Sequence, residues 1–190
     1  MQQQTSQRTP CYLFKARADQ LLGEVREKDL ICLIEGAWTE RTGTAMQEAV
    51  TNLSSKFNTA GIAVSGDGNI LLQFIKEAAA NQKRVYLGGF SLGCDRAEEI
   101  AKQCYGCPIE ILFLLDGTRN IITIPRNVKE VLHIKADYPI LNKKNECPKI
   151  LLEDKTATTL ETITLPNAQH LDIPERAFHY IYREFEKRYA

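Results

Sequence analysis

Short, wholly apolar runs alternate along this chain with segments whose apolar residues recur every three or four positions. Leu30-Ile31-Cys32-Leu33-Ile34 is bounded by charge and by Gly36, and it predicts a buried strand. Met46, Ala49, Val50, Leu53 and Phe57 follow at helical spacing. Gly61 to Val64 predicts a second strand with Ser65-Gly66-Asp67-Gly68 as its turn, and Leu71, Phe74, Ile75 and Ala78 a second helix. Val85-Tyr86-Leu87 predicts a third strand, and Ala97, Ile100, Ala101 and Cys104 a third helix. Ile109 to Leu115 is the most apolar strand, Val131 to Ile134 a fifth, and Thr162 to Leu165 a sixth, diluted by threonines. The last helix begins near Asp172 as N-cap with Pro174 in its first turn, and Phe178, Ile181, Tyr182, Phe185 and Tyr189 form its apolar face. Residues 1–10 read as a frayed tail, and 141–158 carry no assignable pattern. Within 11–28, Leu21, Leu22 and Val25 favour a helical turn, while Cys11 to Phe14 would also suit an edge strand.

Strand–helix alternation with apolar strands predicts a single α/β domain over residues 1–190, with 1–28 a tail or extra element. Its mainly parallel sheet has about six strands and helices on both faces. Ligands in such sheets bind at the carboxyl ends of the strands, so the residues following each strand carry the functional interest.

Composition narrows the function. The 190 residues are enough for one core without disulfides. Lys and Arg number 24 against 24 Asp and Glu, which supplies no basic face for nucleic acid. The longest wholly apolar runs, Leu30 to Ile34 and Ile111 to Leu115, fall far short of the roughly 20 residues of a membrane span. The polar N-terminus has no apolar signal region, so a cytoplasmic protein is expected. Six cysteines, at 11, 32, 94, 104, 107 and 147, suit buried thiols in a reducing compartment. Cys104 and Cys107 form a C-x-x-C that closes a helix, with Gly106 as C-cap, and no second ligand pair stands nearby. These read as structural thiols, and neither metal nor cofactor is expected.

The third strand runs into Gly89-Phe90-Ser91-Leu92-Gly93 and then a helix. G-x-S-x-G in that context is the pattern of a nucleophile elbow. A sharp strand-to-helix turn holds the serine in a strained conformation with Oγ clear of the backbone, and small residues two before and two after relieve the crowding. The helix N-terminus adds free N–H groups beneath a developing oxyanion. A phosphate loop, and with it a nucleotide-binding protein, fits worse, because Cys94-Asp95 stands where Lys-Ser/Thr is required.

A nucleophilic serine needs a base and an acid, in the chain order Ser, acid, His for this fold. His133 lies in a strand and His179 in a helix, whereas His170 follows the sixth strand in a loop, where a base is expected. Two acids follow strands. Asp116 ends Leu114-Leu115-Asp116-Gly117, and Asp137 follows Ile134-Lys135-Ala136. A carboxylate ending an apolar strand is costly to bury without a partner, which favours Asp116, with Asp137 as the alternative. Oxyanion donors are expected at the backbone N–H of Leu92 and of Ala37, with Trp38 next after Ala37. Glu35 is expected to point away from the oxyanion or to pair with a cation.

Ile34-Glu35-Gly36-Ala37-Trp38, Gly89-Phe90-Ser91-Leu92-Gly93, Leu114-Leu115-Asp116-Gly117 and Ala168-Gln169-His170 together resemble the α/β-hydrolase fold family over residues 30–185. The strand-ending Leu-Asp-Gly is similar to the thioesterase branch, in which the acid follows this strand rather than the next. The resemblance implies Ser91 as nucleophile, Asp116 as acid and His170 as base, in a minimal, lidless, cutinase-sized core. Most members have His-Gly where this chain has Glu35-Gly36, and the usual N-terminal antiparallel strands are mostly missing. The expected function is a serine esterase or thioesterase acting on a small-molecule or carrier-bound acyl substrate. The alternative is a catalytically inactive interaction module on the same scaffold. Oligomeric state is left open.

Overall fold

The wholly apolar runs form the middle of the sheet. The computed structural model describes residues 12–36, 39–65, 69–138 and 148–190. In chain order its elements are α1 (Tyr12–Glu27), β1 (Leu30–Ile34), α2 (Thr39–Phe57), β2 (Ala60–Val64), α3 (Leu71–Ala80), β3 (Val85–Phe90) and α4 (Leu92–Gln103). There follow β4 (Ile109–Leu115), β5 (Ile121–Ile124), β6 (Val128–Tyr138), β7 (Lys149–Leu152), β8 (Thr159–Gln169), a 3₁₀ turn (His170–Asp172) and α5 (Ile173–Tyr189). Six strands make one parallel sheet in the order β2-β1-β3-β4-β6-β8.

β1 and β3 are buried at every residue because both faces of the sheet are covered. Leu30, Cys32, Ile34, Leu87, Leu112 and Leu114 face the layer of α1, α3 and α4. Ile31, Leu33, Tyr86, Phe113 and Leu115 alternate with them and face α2 and α5. α5 contributes Ala177, Ile181 and Phe185 to that second core, and the Phe185 ring lies 4.4 Å from that of Tyr86. Among the described residues, no helix is long and apolar enough to cross a membrane.

Several expectations change. The ambiguous segment after residue 11 is helix from Tyr12 onward, and Leu21 and Val25 are its buried face. The expected tail, Cys11, the 66–68 turn and Cys147 lie outside the described residues. A second, two-stranded parallel sheet pairs β5 with β7. Its four-residue strands are too short for a periodic signal, and the partners are far apart in sequence. Ile122 and Ile124 extend the core under α4, and the Glu98 carboxylate accepts the Thr123 N–H at 2.8 Å, tying β5 to that helix. β6 and β8 both run well beyond their apolar centres. Asp172 does precede α5, but its carboxylate accepts the Gln169 N–H at 3.0 Å and closes the 3₁₀ turn instead of capping the helix. Cys104, not Gly106, caps α4. The Asn127 side-chain amide donates to the carbonyls of Ala101, Cys104 and Cys107 at 3.1, 2.9 and 3.0 Å, which holds the C-x-x-C turn. Cys104 and Cys107 are both free thiols, and burial pushes Cys104 up to about 11.

Candidate active site

Ser91 sits between β3 and α4 with φ 56° and ψ −121°, a conformation that L-residues rarely adopt. The turn is held by the Ser91 N–H, which donates to the Leu115 carbonyl at 2.9 Å. Its two flanking glycines are required by close approach. A Cβ at position 89 would lie 2.1 Å from the Gly93 carbonyl oxygen, and one at 93 would lie 2.2 Å from that of Ile34. Where a phosphate loop would carry its lysine, the buried Cys94 thiol donates to the Gly89 carbonyl at 3.0 Å. The Arg119 guanidinium answers Asp95 at 3.2 Å.

Asp116 leaves the end of β4 with φ 49°, which swings its side chain off the strand. One carboxylate oxygen accepts the Ala136 N–H of β6 at 3.0 Å. The other accepts Nδ1–H of His170 at 2.6 Å. A carboxylate is an acceptor only, so the imidazole proton belongs on Nδ1. Nε2 is then free to accept the Ser91 hydroxyl, 2.9 Å away. Both partners are largely out of water, with 8% of the Asp116 side chain exposed and 15% of the His170 side chain. The Phe90 ring lies against the imidazole, centroids 4.7 Å apart.

The other candidates are elsewhere. His133 is buried in β6, and burial pushes it down to about 4, so it stays neutral and inside a strand. His179 is exposed on α5 beside Tyr180. Asp137 lies within β6 and not after it, and it is exposed. The structure therefore joins Ser91, Asp116 and His170. The Ala136 and Phe90 contacts were missed by the sequence reading, since they depend on strand register and on how the imidazole ring is turned.

No protein-family model matches the sequence, and no curated protein does. Solved structures do match. A protein of unknown function from Agrobacterium tumefaciens, provisionally classed as an α/β hydrolase, superposes with a TM-score of 0.56 at 12% identity, over 85% of this chain and 88% of that one. A protein from Xanthomonas campestris pv. campestris, provisionally classed in the α/β-hydrolase superfamily, gives 0.51 at 16% identity, over 83% and 99%. This chain has the α/β-hydrolase fold. Human thioesterase 2 is a looser match, with a TM-score of 0.41 at 9% identity over 84% and 97% of the two chains, and its chemistry is not carried over.

In an α/β-hydrolase fold the loop after the first core strand borders the nucleophile, and here that loop begins with Glu35-Gly36. Ala37 and Trp38, the expected oxyanion donors on it, lie outside the described residues. Leu92, the other expected donor, opens α4, where first-turn N–H groups have no intrahelical partner. The residue is 51% exposed beside Ser91. Glu35 is only 5% exposed, and its partner among the described residues is not a cation but the Gln47 side-chain amide, which donates at 3.4 Å. Burial raises the Glu35 pKa, and the Gln47 bond offsets this only in part.

The fold favours neutral Glu35, so stability is full below the ordinary carboxylate range and declines as pH rises through the raised value. Glu35→Gln keeps the shape without the charge. It is expected to melt at or above the wild-type temperature at pH 8, with the gap closing toward pH 4 in calorimetric scans. Its kcat on p-nitrophenyl esters is expected to stay within about tenfold of wild type. A drop beyond about 100-fold, the scale of a lost oxyanion donor, would give Glu35 a direct part in the reaction.

Proposed function

We propose that this protein is a serine hydrolase that cleaves carboxylic esters or thioesters through an acyl-enzyme on Ser91. The observation that carries this reading is the unbroken relay from the Asp116 carboxylate through His170 to the Ser91 hydroxyl, with steps of 2.6 and 2.9 Å. Ser91 Oγ attacks the substrate carbonyl while His170 Nε2 takes its proton. Asp116 holds the Nδ1–H tautomer and offsets the positive charge that forms on the ring. The tetrahedral oxyanion is held by the backbone N–H groups of Leu92 and Ala37. Collapse expels the alcohol or thiol, which takes the proton from His170. Water, deprotonated in turn by His170, then releases the acid and restores Ser91. The substrate is a small-molecule or carrier-bound acyl group.

The test is incubation with a fluorophosphonate probe, followed by mass spectrometry of the labelled peptide. One adduct, on Ser91, is expected. An unlabelled protein, or an adduct on another serine with Ser91 untouched, would overturn the assignment.

A further inference from the structure

The two edges of the main sheet differ in how they are protected. β2 forms one edge, is five residues long, and packs between α1 and α2. β8 forms the other edge and is eleven residues long, and among the described residues no further strand lies beyond it. Thr159, Leu160, Glu161, Thr162 and Thr164 are exposed, and Leu160 keeps 39% of its surface in solvent. Long open edges are ordinarily blunted by lysine, by proline, by a bulge or by a covering element. The run Thr159–Leu165 contains neither lysine nor proline, and the register irregularity of this strand pair falls past it, at Ala136–Tyr138. What the run does contain is β-branched residues that favour strand pairing, Thr159, Thr162, Ile163 and Thr164.

We infer that β8 is the contact edge of a homodimer, in which β8 of a second copy pairs with it antiparallel about a twofold axis perpendicular to the sheet. Such an axis keeps each face on its own side, so directly opposed residues share a face. Centring the axis on Thr162 uses the whole run. It sets Thr162 against its own copy, Leu160 against Thr164, Glu161 against Ile163 and Thr159 against Leu165. Centring it one residue earlier would set Glu161 against itself, which is unfavourable. Glu161 is the one charge in the run, and Arg183 of its own chain answers it at 3.8 Å, so pairing buries no unanswered charge. The two six-stranded sheets then become one, and the two Ser91 sites open at opposite ends of it. Seven residues of strand span about 24 Å. With the flanking helix layer, the contact covers on the order of 1,000 Å² in total, the lower limit for a specific interface. The dimer is therefore expected to be weak and concentration-dependent.

Sedimentation equilibrium on the full chain between about 2 and 200 µM tests this. The apparent mass is expected to climb from 21.5 kDa toward twice that value. Thr162 is exposed, so Thr162→Lys and Thr162→Glu place a charge at the axis without disturbing the core. Each variant alone is expected to stay monomeric, with an unchanged melting temperature measured at low micromolar concentration. An equimolar mixture of the two is expected to dimerise again, because opposite charges then meet at the axis. A monomeric wild type at every concentration, which would leave the edge to another occupant, overturns the inference. So do dimers undiminished in Thr162→Lys, or a mixture that stays monomeric.

Discussion

Ser91→Ala is expected to lower kcat for p-nitrophenyl ester hydrolysis by about 10⁶-fold, the scale met when the serine is removed from a triad. The substitution deletes one oxygen and keeps the Cβ, so the crowded turn at φ 56° is unchanged. The backbone bond from Ser91 N to the Leu115 carbonyl at 2.9 Å also survives. What is lost is the hydroxyl that His170 faces at 2.9 Å, worth about 1 kcal/mol of stability as an ordinary hydrogen bond. Melting should thus shift by a few degrees at most while turnover collapses. Progress curves and a thermal melt on the same preparation check both halves. Turnover above about one hundredth of wild type in the folded Ala variant would remove Ser91 from the nucleophile's role.

The contrast between turnover and stability also explains what the sequence made legible. The elbow is local: five consecutive residues contain both the nucleophile and the glycines its geometry requires. The central strands were legible because burial on both faces leaves no polar residue to interrupt Leu30–Ile34 or Ile111–Leu115. His170 stood out because it follows a strand, although the strand proved longer and the loop proved to be a 3₁₀ turn. Contacts between distant elements were not legible. The Ala136 N–H reaches Asp116 only because β4 and β6 pair with Leu115 opposite Ile134. The β5–β7 pair buries few residues per strand, so its pattern is lost among surface positions. The exposed β8 edge dilutes its own signal for the same reason that it can take a partner: few of its side chains face a core.

The choice between the two acids carries the second large expected effect. Asp116→Asn preserves shape, yet it reverses the sense of a hydrogen bond. If the new amide keeps its oxygen toward the Ala136 N–H, its NH₂ faces His170 Nδ1 at the 2.6 Å contact. Nδ1 must then accept, the ring proton moves to Nε2, and Nε2 can no longer receive the Ser91 proton. If the amide turns over instead, its NH₂ meets the Ala136 N–H and leaves a buried donor unsatisfied, so the first arrangement is favoured. The imidazolium formed during the reaction also loses its counter-charge. Together these are expected to lower kcat by about 10⁴-fold, as in the worked serine-protease case. Asp137→Asn removes a charge from an exposed position within β6 and is expected to keep kcat within about threefold. Measuring both variants with the same ester, alongside their rates of fluorophosphonate labelling, separates the two carboxylates. A dead Asp137 variant beside an active Asp116 variant would mean that the bond seen at Nδ1 is not the one that orients the base. The acid would then come from the end of β6 and not from the end of β4.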